Sequence, residues 1–164
     1  MFSGIHLSDI LTQWRDCLVS SQVLESFCQT KYGKSLKLFI GLDPNVQLTE
    51  TDCPYIIIYP GWKTEGGERK QFCYMVPVHW AIINSSKTIS GNQVELDGIY
   101  DCDMLGQLIL AELAEASPGN PISYVKYEMQ TKESLKELAY FPKFEGKMEV
   151  KFYITPVLGG NITY

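Results

Sequence analysis

Residues 100–116 (YDCDMLGQLILAELAEA), 124–129 (YVKYEM) and 141–154 (FPKFEGKMEVKFYI) carry the clearest fold signal in this chain. At 100° per residue, Leu105, Leu108, Ile109, Leu113 and Ala116 share one broad helical face. Met104, Leu110 and Ala111 carry apolar character further round, Glu112 interrupts it, and Asp103, Gln107 and Ala114 form the one evidently solvated strip. A helix over about 100–116 is therefore predicted, covered on more than one side. Ser117-Pro118-Gly119-Asn120-Pro121 ends it. Val125, Tyr127 and Met129 then alternate with Lys126, Glu128 and Gln130, the period of a half-buried strand. A short helical turn is expected at Ser134–Ala139. Phe141-Pro142-Lys143-Phe144-Glu145-Gly146 leads into a second strand, in which Met148, Val150, Phe152 and Ile154 alternate with Lys147, Glu149, Lys151 and Tyr153.

Working outward from this block, Leu7, Ile10, Leu11, Trp14 and Leu18 recur at helical spacing, with Ser8 or its neighbour placed to cap the start. Ser20-Ser21 breaks the segment, Val23, Leu24 and Phe27 continue it, and Gly33 is a stop. Leu36, Leu38 and Ile40 mark a first strand, and Asp43-Pro44-Asn45 is the turn signal of a loop over residues 41–54. Tyr55–Tyr59 is continuously apolar, as expected of a central strand covered on both faces. The polar run 63–70 separates it from the apolar run Phe72–Ile83, and the two read as a hairpin arm with a charged tip. In the second limb Phe72, Tyr74, Val76, Val78, Trp80 and Ile82 form a core face, and Pro77 requires a bulge or an edge position. Gly91-Asn92 turns a small hairpin inside the loop over residues 85–98, and the tail over 155–164 is expected to be loose. The fold class is α+β in one domain over residues 1–164: a mostly antiparallel sheet with a hairpin arm, flanked by N-terminal helices and one long central helix.

Composition narrows the function classes. The 164 residues are 45% apolar and 20% charged, ordinary for a globular chain with a real core. A net charge of −5 argues against nucleic acid, which demands clustered cations. The longest basic cluster, Arg69-Lys70, has Glu65 and Glu68 beside it. No apolar stretch is long enough for a membrane span, and the charged N-terminus is not a signal peptide. Cys17, Cys28, Cys53, Cys73 and Cys102 are odd in number and widely spaced, which fits reduced thiols in a cytosolic setting and not a zinc site.

No reactive constellation emerges. The histidines are His6 and His79, and His79 reads as a structural residue of a strand. There is no nucleophile elbow, no P-loop and no dinucleotide fingerprint. Asp97, Asp101 and Asp103 are dense enough to suggest a hard cation, but they lack the other ligands of an EF-hand loop and suit the start of a helix. No catalytic residue, cofactor or metal is expected.

The hairpin over 55–83 and the unit 100–154, ending in Phe141-Pro142-Lys143-Phe144-Glu145-Gly146-Lys147-Met148-Glu149-Val150, give an order of elements that resembles the tail terminator proteins of long-tailed bacteriophages. The resemblance implies a structural virion subunit, assembled in the bacterial host cytoplasm. Such subunits form a homo-oligomeric ring, typically hexameric, that caps the tail tube and joins it to head–tail connector proteins. It implies no nucleic-acid or membrane partner and carries over no catalytic residue. The arm residues Trp62, Lys63, Glu65, Glu68, Arg69 and Lys70 are the candidate interface with the tube or with another subunit. Independently of resemblance, both faces of the 72–83 strand and most of the girth of the 100–116 helix are apolar, more than a lone copy is expected to hide. The competing readings are a small-ligand or peptide-binding module, or an enzyme, using a cleft beside the 72–83 strand with His79 and Tyr74 as polar handles, and an adaptor that pairs a sheet edge with a peptide.

Overall fold

A computed structural model describes residues 6–64, 72–116, 122, 124–129 and 141–154. Helix α1 (Leu7–Ser20) starts where the His6 N–H donates to the Asp9 carboxylate at 3.0 Å, so the cap comes from the third helical residue and not from Ser8. Ser21 divides the N-terminal region as expected. Its extended backbone ends α1, and its hydroxyl accepts from the Leu24 N–H at 3.2 Å to open α2 (Gln22–Tyr32). Gly33 closes α2 at φ 62°, a left-handed conformation that a side chain disfavours.

The main sheet is built from β1 (Lys37–Ile40), β2 (Tyr55–Ile58), β3 (Trp62–Thr64), β4 (Phe72–Ile83), β7 (Tyr124–Met129) and β8 (Lys143–Ile154), in the order β1-β2-β4-β8-β7 with β3 also on β4. A separate ribbon, β5 (Lys87–Ser90) and β6 (Gln93–Leu96), turns at Gly91-Asn92 and leads into α3 (Asp97–Ala116). Every pairing is antiparallel except β1 with β2. The α+β class with a mostly antiparallel sheet therefore holds. The parallel pair is closed by the loop over 41–54, about the shortest connection that two parallel neighbours permit. In that loop Asp43 accepts from the Asn45 and Val46 backbone N–H groups, the turn that its sequence signals.

Strands β4 and β8 pair in unbroken register from Phe72↔Ile154 to Ile83↔Lys143. Pro77 is thus neither bulged nor at an edge. Its carbonyl accepts from the Tyr59 N–H at 3.0 Å, so its missing donor faces the β2–β3 side. On that side Ile58 lies opposite Val78 and Trp62 opposite Met75, leaving Tyr59, Pro60 and Gly61 to span Val76 and Pro77. The bulge that Pro77 calls for sits on its neighbour.

All three helices pack on one face of the sheet. Ile10, Trp14 and Leu18 of α1, Leu24 and Cys28 of α2, and Cys102, Leu105, Ile109 and Leu113 of α3 share a core with the inward residues of β2, β4 and β8. The apolar girth of residues 100–116 is covered in part by the chain itself. One flank of α3 rests on β4 and β8, and α1 and α2 cover another, while Tyr100 and Met104 stay 60% and 52% exposed. The helix also begins at Asp97, earlier than expected, because Gly98 is a packing position: a Cβ there would collide with the Phe144 ring.

Burial on the opposite face is uneven. Cys53, Tyr55, Ile57 and Ala81 form a second, smaller core under Leu42 and Leu48 of the loop over 41–54. That loop is pinned through Asp52, whose carboxylate accepts from Lys37 Nζ at 2.8 Å and from the Thr49 N–H and hydroxyl at 2.8 and 3.0 Å. The Lys37 bond, then the Thr49 bonds, pull the Asp52 pKa down to about 2 from its usual 3.8. A depressed carboxylate stabilises the fold above its unfolded pKa and loses that contribution as the pH falls through the folded value. Urea-unfolding midpoints measured from pH 4.5 down to 2 are therefore expected to fall more steeply for the wild type than for Asp52→Asn. Parallel curves would remove Asp52 as a determinant of acid stability.

Candidate assembly interface

Beyond the cover of the 41–54 loop, and among the described residues, the outward face of the sheet is open. Strand β8 places Lys143, Glu145, Lys147, Glu149 and Lys151 on it, because its alternate residues Phe144, Met148 and Val150 are drawn into the helical core. Strand β4 contributes Cys73, Met75, Pro77 and His79, all half-buried, and β7 contributes Lys126 and Glu128. The charges are paired in the plane of the sheet. Glu128 lies 3.2 Å from Lys126 and 3.1 Å from Lys147, and Glu145 lies 3.5 Å from His79 Nε2 and 4.0 Å from Lys143. His79 beside it, then Lys143, hold the Glu145 carboxyl below its usual pKa against the effect of burial. Bonds from Lys147 and Lys126 lower that of Glu128. Solvent-facing pairs of this kind add little to stability, so the pattern bears on recognition and solubility more than on stability.

Trp62 stands on this same face beside Met75, with 51% of its surface exposed at the root of the hairpin arm. Lys63 points the other way, its Nζ 5.0 Å from the Phe72 ring centroid and 5.6 Å from that of Tyr74. The two described members of the arm set therefore belong to opposite faces. Glu65, Glu68, Arg69 and Lys70, like the helical turn expected at 134–139 and the tail over 155–164, lie outside the described residues.

The polar handles expected beside the 72–83 strand do not converge. Tyr74 is fully buried in the helical core, whereas His79 lies on the open face against Tyr55, with ring centroids 6.2 Å apart. A half-open cleft of about 690 Å³ exists elsewhere, at the Ile83 end of β4, between α2, the start of α3 and residues 84–86. Its buried carboxylate, Asp101, is held by Lys31 Nζ at 2.9 Å and Asn84 Nδ2 at 2.9 Å. Burial, then the nearby Asp101 charge, raises the pKa of the Tyr32 phenol, which therefore stays protonated. These groups tie α2, α3 and β4 together. The three clustered aspartates take different partners: Asp97 accepts from Thr88, Asp101 binds Lys31 and Asn84, and Asp103 accepts from Tyr127. Asp97 and Asp101 both line the cleft, and only Asp97 lies in the first turn of α3, where the helix-start reading applies.

For Cys17, Cys28, Cys53 and Cys102 the neutral thiol is the favoured form. Burial pushes the pKa values of Cys28 and Cys102 up to about 12 and that of Cys53 to about 11, and burial followed by Glu112 raises that of Cys17. No helix among the described residues is long and apolar enough to cross a membrane. No family model and no curated protein matches the chain.

The sequence singled out Trp62 as a candidate interface residue but not the lysine–glutamate file of β8 as part of a surface. Alternation along β8 shows that one side is wet. Which neighbours share that side depends on pairing with β4 and β7.

Proposed function

We propose that this chain is a structural subunit of the tail-terminator type, from a bacteriophage or prophage, which joins copies of itself into a ring that caps a tail tube and receives the head. The observation that supports this reading is the one-sided sheet. A twelve-residue ladder is backed by helices on one face, and its other face carries Trp62, Met75, Pro77 and a file of charges without a covering layer among the described residues. A half-exposed tryptophan is the residue type enriched where partners meet, and the charges around it suit a polar rim that sets the direction of approach. On this reading the partners are other copies of the chain, the tail tube protein and the connector proteins of the head. The place of action is the virion, assembled in the host cytoplasm.

Light scattering on the purified protein at micromolar concentration, together with electron microscopy after mixing with isolated tail tubes, tests the reading. Rings in solution or capped tube ends are expected. A strict monomer that leaves tube ends bare would reject it.

A further inference from the structure

The two layers of the fold differ in charge. The three helices hold eight carboxylates against Arg15 and Lys31, and α3 alone has Asp97, Asp101, Asp103, Glu112 and Glu115 with no basic side chain. The open sheet face leans the other way: it carries Lys126, Lys143, Lys147 and Lys151 against Glu128, Glu145 and Glu149. Lys126 and Lys147 are 47% and 45% exposed while the Glu128 between them is 30% exposed, and Lys143 is 33% exposed beside Glu145 at 20%. In these pairs the lysine is the more exposed partner. On the helical side carboxylates outnumber the cations: Asp16 is 63% exposed and Asp103 and Glu115 are exposed on α3, against Arg15 at 49%, paired with Asp16, and Lys31 at 46%. Apolar surface lies on both sides as well, Trp62 on the face and Val19 and Val23 on the helices at 72% and 52% exposure.

We infer that contact between copies is front to back: the cation-tipped sheet face of one copy seats on the acidic helical layer of the next. This rests on the self-assembly reading above and adds the identity of the surface that the sheet face meets. Opposite potentials fix the direction of approach and disfavour face-to-face and back-to-back pairing, in which like charges meet. The contact is heterologous, using different patches on the two partners, and such contacts generate rings when the rotation per subunit closes. Because its charges lie near solvent, added salt should weaken it.

Two charge-reversed variants of the full chain test this: Lys147→Glu with Lys151→Glu on the face, and Asp16→Lys with Glu115→Lys on the helices. Each variant alone is expected to associate at least about tenfold more weakly than the wild type. Mixed in equal amounts, they should co-assemble in alternation, since the intact face of one fits the intact back of the other and the reversed face again meets a back of opposite charge. That co-assembly also shows that both variants are folded. If the face variant fails while the helix variant assembles normally, the contact is face to face and the inference is overturned. An assembly that survives both variants overturns it too and leaves the ring reading standing, whereas a wild-type monomer at every concentration, bare of tube ends, overturns both.

Discussion

Replacing Trp80 with alanine is expected to lower unfolding free energy by about 3–5 kcal/mol, the largest effect of any single substitution in the described core. Trp80 is fully buried at the centre of the sheet, and its indole N–H donates to the Cys102 carbonyl at 3.0 Å, joining β4 to α3. Two glycines make room for it. A Cβ on Gly106 of α3 or on Gly146 of β8 would collide with its six-membered ring. The niche is shaped to one side chain from three elements, so it cannot collapse around alanine, and the cavity penalty is felt in full. The ring of Tyr127 lies 5.2 Å from the Trp80 ring and would lose its packing partner as well. Urea unfolding followed by circular dichroism measures the loss. A cost below about 1 kcal/mol would mean that the niche relaxes and that Trp80 does not organise the core.

The second large effect is expected at Gly61, and it is local. A Cβ there would collide with the Met75 carbonyl oxygen, a backbone atom that can move only if β3 leaves β4. Gly61→Ala is therefore expected to release the pairing of residues 62–64 while leaving Tyr55–Ile58, which are buried on both faces, in place. Hydrogen exchange should show protection at residues 62–64 falling by about tenfold or more, with that at Ile56–Ile58 unchanged. Because the arm root carries Trp62, assembly should weaken together with this loss. A variant with normal exchange at 62–64 would show that the bulge tolerates a side chain. Normal assembly despite lost protection would remove the arm root from the interface.

Both predictions concern features that local patterns reveal unequally. Trp80 was legible as a core residue from the alternation of Phe72, Tyr74, Val76, Val78, Trp80 and Ile82, all of them buried. Gly146 was not legible as part of its niche. A glycine after Phe-Pro-Lys-Phe-Glu reads as an approach to a strand, yet β8 is already extended at Lys143, and Gly146 lies inside it opposite Trp80. Pro77 was legible as a break in a ladder, but the strand that breaks is its neighbour. Glycine and proline thus announce that something special happens nearby, and the partner that the chain brings alongside decides what.

The candidate surface divides in the same way. The sequence by itself determined which side of β8 is wet, that the N-terminal region divides at Ser21 and that α2 stops at Gly33, and that Tyr55–Ile58 is buried on both faces, because side-chain period and capping chemistry act over a few residues. It also determined the acidity of α3. Only the tertiary structure decided that β1 runs parallel to β2, that Lys63 and Trp62 part to opposite faces, that α1 and α2 cover one flank of α3, and that the lysines of β7 and β8 stand together on a face without a helix. Those outcomes depend on which distant segments meet, and that is set by the fit of whole elements around Trp80 and not by any short pattern along the chain.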